Sequence, residues 1–256
     1  MQKTIRNLII KENIHLTPNH SLLKLTSPEP LPTITPGQFA QIKTNANVLL
    51  RRPISIHNVI ETNNEIWFLI HAVGKGTQAL YNTLAGNLIN VLFPLGRGFT
   101  FPTTESSKIL LVGGGVGIAP LLYYGKELKQ SGCQPTFLFG ARTKTDLLQL
   151  KLFQALGNVH FTTEDGSAGQ KGLVTQHDIL NTTTFTHIAT CGPKPMMKSI
   201  ANYAKTHNIP CEASLENLMA CGLGACLCCI EPTIDGPLRV CTDGPVFNTN
   251  RLLWTT

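Results

Sequence analysis

The feature that most constrains this sequence is a dense group of cysteines near its C-terminal end. Five of the eight cysteines lie between residues 221 and 241. Cys221, Cys226 and Cys229 have the spacing C-x4-C-x2-C, and Cys241 follows after eleven intervening residues. This is the plant-type spacing for a [2Fe–2S] cluster, in which four thiolates hold two irons. The sequence therefore predicts that these four cysteines are cluster ligands.

The residues between the cysteines suit this prediction, although a zinc site and a pair of disulfides stay open. Ligands that converge from one short loop need sharp backbone reversals, which Gly222 and Gly224 allow. Zinc sites also use four thiolates, but they favour C-x2-C pairs separated by a long spacer. Two disulfides are disfavoured in a reducing cytosol. Cys228 fits the spacing less well than Cys229, and we interpret it as a small packed residue.

Composition and charge exclude several classes of protein. The 256 residues are 42% hydrophobic and 14% charged, which is typical of a globular chain with two compact domains and a small appendage. The net charge of +6 is spread along the chain, so no nucleic-acid partner is expected. Lys11 and Glu12 interrupt the first apolar run, and glycines and a proline interrupt residues 109–124. We therefore expect neither a secretory signal nor a membrane span. The expected location is the cytoplasm.

The chain divides into three consecutive regions with different sequence patterns. Residues 48–59 and 65–73 are apolar or β-branched runs with prolines and glycines around them, which suits an antiparallel β-barrel. From residue 108, strand-like and helical segments alternate, as in a parallel sheet with crossover helices. The predicted fold is therefore a multidomain α+β protein. Its predicted parts are a barrel domain at 1–103, a dinucleotide-binding α/β domain at 104–208 and a cluster-binding module at 209–256.

Two glycine turns in the second region, which starts at residue 108, indicate a dinucleotide site. The strand at residues 109–112 runs into glycines and then a helical stretch, so backbone amides could contact a pyrophosphate at the helix start. These glycines are Gly113, Gly114, Gly115 and Gly117. The strict G-x-G-x-x-G fingerprint is not met, because Ile118 occupies the third glycine position, and a purely structural turn stays open.

The second glycine turn consists of Cys191, Gly192 and Pro193 and closes the last predicted strand of the parallel sheet. In such a sheet both turns lie at the carboxyl edge, where ligands bind. Cys191 could lie beside a nicotinamide ring, or it could be a small buried hydrophobe.

The first region, the predicted barrel, contains a possible flavin-binding segment. Arg52, Pro53, Ile54 and Ser55 stand in a predicted strand. An arginine can pair with a cofactor phosphate, and a serine two or three residues away can reach a flavin ring nitrogen. Because an Arg and a Ser on one strand are common, an ordinary strand stays open. The segment from Gly74 to Thr77 opens a predicted helix and forms a second possible phosphate cradle.

Taken together, these motifs give the chain a family resemblance. It resembles the electron-transfer subunits of class 1B, NAD-dependent dihydroorotate dehydrogenase, which belong to the ferredoxin–NADP reductase superfamily. The resemblance covers nearly the whole length. Its segments, in chain order, are RRPISI, GKGT, LVGGGVGIAPLL, FGARTKTDLL, EDGSAGQKGLVT, CGPKPMM, SLENLMACGLGACLCC and RVCTDGPVF.

The resemblance implies three cofactors and their residues. It implies that FAD is bound with Arg52 on the pyrophosphate and Ser55 near flavin N5. The further FAD residues it implies are Pro53, Ile54, Leu69, Ile70, His71, Gly76 and Thr77. It implies that NAD is bound by Gly113 to Gly117 and by Cys191, Gly192 and Pro193, and that the four cysteines ligate the cluster. Relatives carry an aromatic–Arg pair where this chain has Ile70 and His71.

The resemblance also implies a function and a partner. A catalytic subunit with FMN would oxidise dihydroorotate to orotate in pyrimidine synthesis, and electrons would pass through the cluster and FAD to NAD⁺. The implied assembly is a heterotetramer with two copies of each subunit. No residue of this chain is assigned as a catalytic acid or base. Two rival functions are an NAD(P)H-linked flavin and iron–sulfur reductase subunit of a bifurcating or hydrogenase-type complex, and a zinc-binding scaffold without redox turnover.

Overall fold

The computed structural model describes residues 3–44, 47–102 and 107–254. The predicted domain boundary at 103/104 lies outside the described residues, as do the outer limits at 1 and 256. Within the described part, the chain forms a closed barrel, a seven-stranded sheet and a two-stranded ribbon.

Six antiparallel strands form the N-terminal barrel. They are β1 (Thr4–Thr17), β2 (His20–Thr26), β3 (Phe39–Ile42), β4 (Arg52–Ile60), β5 (Glu65–His71) and β6 (Leu88–Leu95). The barrel closes in the order β1-β2-β5-β4-β3-β6, and helix α1 (Lys75–Tyr81) lies between β5 and β6 in the chain. Side chains alternate between the two faces: Leu8 and Ile10 are buried in the barrel core, whereas Ile9 between them is 38% exposed. The predicted barrel is confirmed.

The described residues after the barrel, 107–254, contain nine strands and four α-helices. The strands are β7 (Ile109–Gly114), β8 (Thr136–Ala141), β9 (Asn158–Thr163), β10 (Gln170–Lys171), β11 (His187–Cys191), β12 (Cys211–Ser214), β13 (Ile230–Thr233), β14 (Gly236–Arg239) and β15 (Val246–Asn248). The helices are α2 (Ala119–Gln130), α3 (Leu150–Gln154), α4 (Ile179–Thr182) and α5 (Lys194–Thr206).

Seven of these strands form the dinucleotide-type sheet, in the order β10-β9-β8-β7-β11-β12-β15. All neighbours pair in parallel except β12 and β15. Strand β7 is buried along its whole length, because helices cover both faces of the sheet. Its Leu111 packs in the cluster that contains Leu121 of α2, and its Leu110 packs with Ile200 of α5. The predicted parallel sheet with crossover helices is confirmed.

The cysteine-rich segment leaves this sheet and returns to it. Strand β12 pairs in parallel with β11 and lies beyond the predicted limit at residue 208, and β15 then adds an antiparallel edge. Between them come the cysteine loop and the β13–β14 ribbon. One hydrophobic cluster joins Phe39 and Leu95 of the barrel to Cys229, Val240 and Phe247 of this segment. The cysteine loop is therefore packed against the barrel as well as the sheet.

No helix within residues 3–44, 47–102 and 107–254 is long and apolar enough to cross a bilayer.

Candidate functional site

The two predicted glycine turns meet at the carboxyl edge of the sheet. In the parallel register of β7 and β11, Gly113 lies opposite Cys191. A Cβ placed on Gly117 would lie 2.5 Å from the carbonyl oxygen of Cys191 and 2.5 Å from Cα of Gly192. Backbone therefore lies where any side chain would have to go, and only glycine allows the two turns to touch. Turns from residues more than seventy positions apart form one backbone surface.

This surface forms one wall of a cavity of about 820 Å³. Seven of the predicted site residues line it, and a volume of this size lies in the range of cofactor pockets. These seven are His71, Gly114, Gly115, Gly117, Cys191, Gly192 and Pro193. Burial raises the pKa of the Cys191 thiol to about 12, so this group stays neutral near pH 7. The cavity fits a dinucleotide that is bound mainly by backbone groups.

The barrel contributes to the lining of the same cavity through His71, at the end of β5. The His71 ring stacks on His20 with a centroid distance of 4.3 Å, and its Nε2 lies 3.4 Å from Nδ2 of Asn19. Burial and the neighbouring His71 lower the pKa of His20. Leu69 and Ile70 precede His71, but their side chains pack in the two hydrophobic cores. Only backbone atoms of these two residues are free to contact a cofactor.

The predicted phosphate-binding residues of the barrel lie together. A Cβ on Gly76 would lie 2.7 Å from Cδ of Arg52, so the arginine side chain passes directly over the start of α1. One Arg52 nitrogen, Nη2, donates a 2.6 Å hydrogen bond to the Leu50 carbonyl. Its Nε is buried and has no partner among the described residues. Thr77 Oγ1 accepts hydrogen bonds from the amides of Val73 and Gly74. An arginine with a spare buried donor beside a helix start fits a phosphate group.

Pro53, Ile54 and Ser55 continue β4 from Arg52. Pro53 and Ser55 lie opposite Gln41 and Phe39 of β3, and Ile54 packs partly against the barrel core. Ser55 is half-buried, and its partly open position agrees with a polar contact. Gly113 lies behind the cavity wall, where a Cβ would meet Ile118 and Leu121.

The four predicted ligand cysteines form two pairs. Cys226 lies beside Cys221, and Cys229 lies beside Cys241, whose amide donates a 3.4 Å hydrogen bond to the Cys229 sulfur. Among the described residues, no three His, Cys, Asp or Glu side chains surround a point that could hold a single metal ion. Two pairs of neighbouring thiols suit the two irons of a [2Fe–2S] cluster, each of which takes two thiolates.

Backbone amides of the cysteine loop point towards the sulfurs. Burial alone would raise the pKa of Cys221, but N–H donation from Leu223, Cys226 and Ala225 outweighs it and lowers the pKa to about 6. The Leu223 amide lies 3.3 Å from the Cys221 sulfur. Burial, together with the neighbouring Cys229 thiol, raises the pKa of Cys241 to about 12. Such amides stabilise thiolates and the negatively charged sulfurs of a cluster.

Two glycines allow the loop to turn inwards. Gly222 has a φ of +68° and Gly224 a φ of +85°, in the left-handed region where glycine is unstrained. Cys228, which the spacing left over, is exposed rather than packed. The interpretation of Cys228 as a packed residue is wrong, because the loop turns its side chain outwards while Cys229 enters the core.

Comparison with known proteins agrees with this arrangement. Residues 216–253 match the family model for the iron–sulfur cluster binding domain of dihydroorotate dehydrogenase B, and residues 111–202 match that for an oxidoreductase NAD-binding domain. The "Dihydroorotate dehydrogenase B (NAD(+)), electron transfer subunit" of Desulforamulus reducens is 38% identical over 93% of this chain and 94% of its own length. The chain belongs to the family of dihydroorotate dehydrogenase B electron transfer subunits. This confirms the family that the sequence motifs indicated.

Other members of the dihydroorotate dehydrogenase B electron transfer subunit family match over similar lengths. The subunit of Fusobacterium nucleatum is 34% identical over 95% of this chain and 96% of its own length. A solved structure of an NADH-dependent reduced ferredoxin–NADP oxidoreductase, described in terms of flavin-based electron bifurcation, superposes with a TM-score of 0.87. It is 29% identical and covers 97% of this chain and 90% of its own. The cytochrome b5 reductase domain of Ulva prolifera nitrate reductase shares the fold, with a TM-score of 0.69 at 18% identity.

The cavity of this electron transfer subunit is also lined by a polar network, which the sequence motifs did not reveal. The Glu231 carboxylate accepts hydrogen bonds from Lys194, Asn217 and Trp254, at 3.2, 3.0 and 3.0 Å. Burial alone would raise the pKa of Glu231, but these donors outweigh it and lower the pKa. The network ties the cysteine segment to the start of α5. No local pattern signals it, because its members come from four separate segments.

Proposed function

We propose that this chain is the electron-transfer subunit of an NAD-dependent dihydroorotate dehydrogenase, which passes electrons from a catalytic partner subunit to NAD⁺. The observation that carries the proposal is spatial order. The glycine turns and His71 share one cavity, and Arg52 and Gly76 lie together on the barrel. Cys229 and Cys241 pack against that same barrel. The names of the relatives supply the substrate of the complex, dihydroorotate.

The described residues support a division of the chain into three sites. FAD would be held by residues of the barrel and α1: Arg52, Pro53, Ile54, Ser55, Leu69, Ile70, His71, Gly76 and Thr77. NAD would be held by Gly113, Gly114, Gly115, Gly117, Cys191, Gly192 and Pro193. A [2Fe–2S] cluster would be held by Cys221, Cys226, Cys229 and Cys241. When bound, the flavin exchanges a hydride with nicotinamide and single electrons with the cluster.

The chain's own residues bind and orient these groups. Arg52 would pair with a phosphate through its free Nε, and the backbone at Gly117 and Gly192 would hold the nicotinamide end against the barrel. Hydride transfer to NAD⁺ would carry two electrons and one proton, whereas electrons from the cluster bring no proton. One proton would therefore have to reach flavin N5 for each electron pair, and no residue of this chain is assigned to deliver it. The neutral Cys191 thiol adds no charge beside the ring.

The cysteine loop also presents a surface that suits a protein partner. Leu218 is 86% exposed and Leu227 is 61% exposed, and both lie in the same loop as the exposed Cys226. Exposed leucines around a redox centre suit docking of another protein. We propose that this partner is the catalytic subunit with FMN, which oxidises dihydroorotate to orotate in pyrimidine synthesis. We also propose a heterotetramer with two copies of each subunit, in the cytoplasm, where reduced thiols are normal.

An anaerobic preparation of the chain tests the cofactor assignment. We expect flavin absorbance, a broad red-brown shoulder, and about two irons and two sulfides per chain. Cys226→Ser and Cys228→Ser form a matched pair, because both thiols are exposed and lie two residues apart. Cys226→Ser should lose the iron and the shoulder but keep flavin, whereas Cys228→Ser should keep both. A colourless protein with one zinc, or equal iron loss in both variants, would contradict the proposal.

A second candidate function is a subunit of an NAD(P)H-linked bifurcating reductase. The TM-score of 0.87 to the NADH-dependent ferredoxin–NADP oxidoreductase favours it. Co-purification of the chain with its partner decides between the two. The proposed complex should form orotate from dihydroorotate with NAD⁺, whereas this chain alone should oxidise NADH only with an artificial acceptor. Orotate formation by the isolated chain would contradict the two-subunit assignment.

A further inference from the structure

Gln41, in the middle of barrel strand β3, has an unexplained side chain. It is 0% exposed, and neither Nε2 nor Oε1 has a hydrogen-bond partner among the described residues. Buried amides are nearly always paired, because an unpaired one loses its hydration without compensation. The primary amide of Gln41 therefore has both a donor and an acceptor available for a ligand.

The position of Gln41 shows which ligand this is. A Cβ on Gly222, which follows the ligand Cys221, would lie 3.0 Å from Nε2 of Gln41 and 2.9 Å from its Cγ. The amide therefore lies directly against the turn of the cysteine loop. On the other side, Gln41 pairs across the sheet with Pro53, next to Arg52. Gln41 is thus placed between the flavin strand and the cysteine loop.

The backbone at this position is fixed. The Arg51 guanidinium donates 3.2 Å hydrogen bonds to the carbonyls of Gln41 and Asn90, and so clamps β3 to β6. The side chain cannot escape to solvent, and Gly222 leaves the space that the amide occupies. Any side chain at position 222 would displace it.

We propose that Gln41 tunes the cluster: its unpartnered Nε2–H would donate a hydrogen bond to a sulfur of the bound cluster and so raise the cluster's reduction potential. The inference rests on the proposed function. Reduction adds one negative charge to the cluster, and a donor directed at sulfur stabilises the reduced form more than the oxidised form. The same residue couples the cluster to the strand that carries Arg52.

The test is a redox titration of the purified holoprotein, with the reduced cluster followed by EPR and the flavin by absorbance. Gln41→Leu removes the donor and keeps the volume, and Gln41→Glu replaces the donor with a negative charge. Ser21→Ala is the control, because Ser21 Oγ is equally buried and unpartnered among the described residues but belongs to β2.

We expect Gln41→Leu to disfavour cluster reduction about tenfold, which for one electron is a shift of about 59 mV to lower potential. Gln41→Glu should shift it further in the same direction, and Ser21→Ala should not shift it. An unchanged cluster potential in Gln41→Leu with full iron content would overturn the inference, as would a shift confined to the flavin. If one of the two Gln41 variants loses its iron, the cluster potential of the other variant tests the inference by the same criterion. Absence of a cluster from the unsubstituted protein would instead contradict the proposed function.

Discussion

Gly117→Ala tests whether contact between the two glycine turns builds the nicotinamide site. The added Cβ would lie 2.5 Å from Cys191 O and 2.5 Å from Gly192 Cα, whereas ordinary contact begins at 3.4 Å. Both neighbours are backbone atoms, at the last residue of β11 and at the residue after it, so the turns must separate by roughly 0.9 Å. A displacement of about 1 Å at a reacting centre costs on the order of 100-fold in rate, or about 2.7 kcal/mol.

The assay is NADH oxidation with ferricyanide as the acceptor, which needs only this chain and its flavin. We expect kcat/KM for NADH to fall about 100-fold, while flavin and iron contents stay unchanged because both lie outside these turns. Gly125→Ala is a matched control, since its Cβ would also lie 2.5 Å from an atom, Cζ of Phe137, but inside the core. This control should lower the melting temperature and leave KM for NADH unchanged. Wild-type kcat/KM in Gly117→Ala would refute the reasoning.

Two further predictions concern the barrel. Arg52→Ala should weaken FAD binding by roughly 10- to 100-fold, since a hydrogen bond to a charged group contributes about 1.5–3 kcal/mol. The measurement is the amount of flavin that the protein retains after gel filtration, with Arg251→Ala at a surface ion pair as the control. Equal flavin retention in the two variants would contradict a role of Arg52 in FAD binding. His57 is fully buried, and its ring nitrogens each lie 2.7 Å from an oxygen, of Ala119 and of Gln149. Burial lowers its pKa below the unfolded value of about 6.5, so its contribution to stability is complete above that pH and is lost as the pH falls, by up to about 1.4 kcal/mol per pH unit. Between pH 7 and 5, the free energy of unfolding measured with urea should therefore fall more steeply in the wild type than in His57→Gln. Identical slopes in the two proteins would contradict this contribution of His57.

The local features of this protein can be predicted from its amino-acid sequence. The spacing of Cys221, Cys226 and Cys229 fixes which thiols one loop can bring together, since few backbone paths join residues so close in the chain. The period-two burial of β1 and the continuous apolar run of β7 follow from side-chain geometry along a strand. Helix α1 begins where its glycines and Thr77 predict. These features depend on neighbours in the chain, so the sequence contains the information.

Other features depend on contacts between segments that are distant in the chain, and they become visible only in the folded structure. The four-residue strand β12 has no sequence signal of its own, and it extends the sheet past residue 209 because β11 offers an unpaired edge. The outward turn of Cys228 follows from the packing of Cys229 against the barrel. Gln41 is an ordinary strand residue until folding places Gly222 against it. Contacts of this kind are set by register and packing between segments far apart in the chain, which no local pattern encodes.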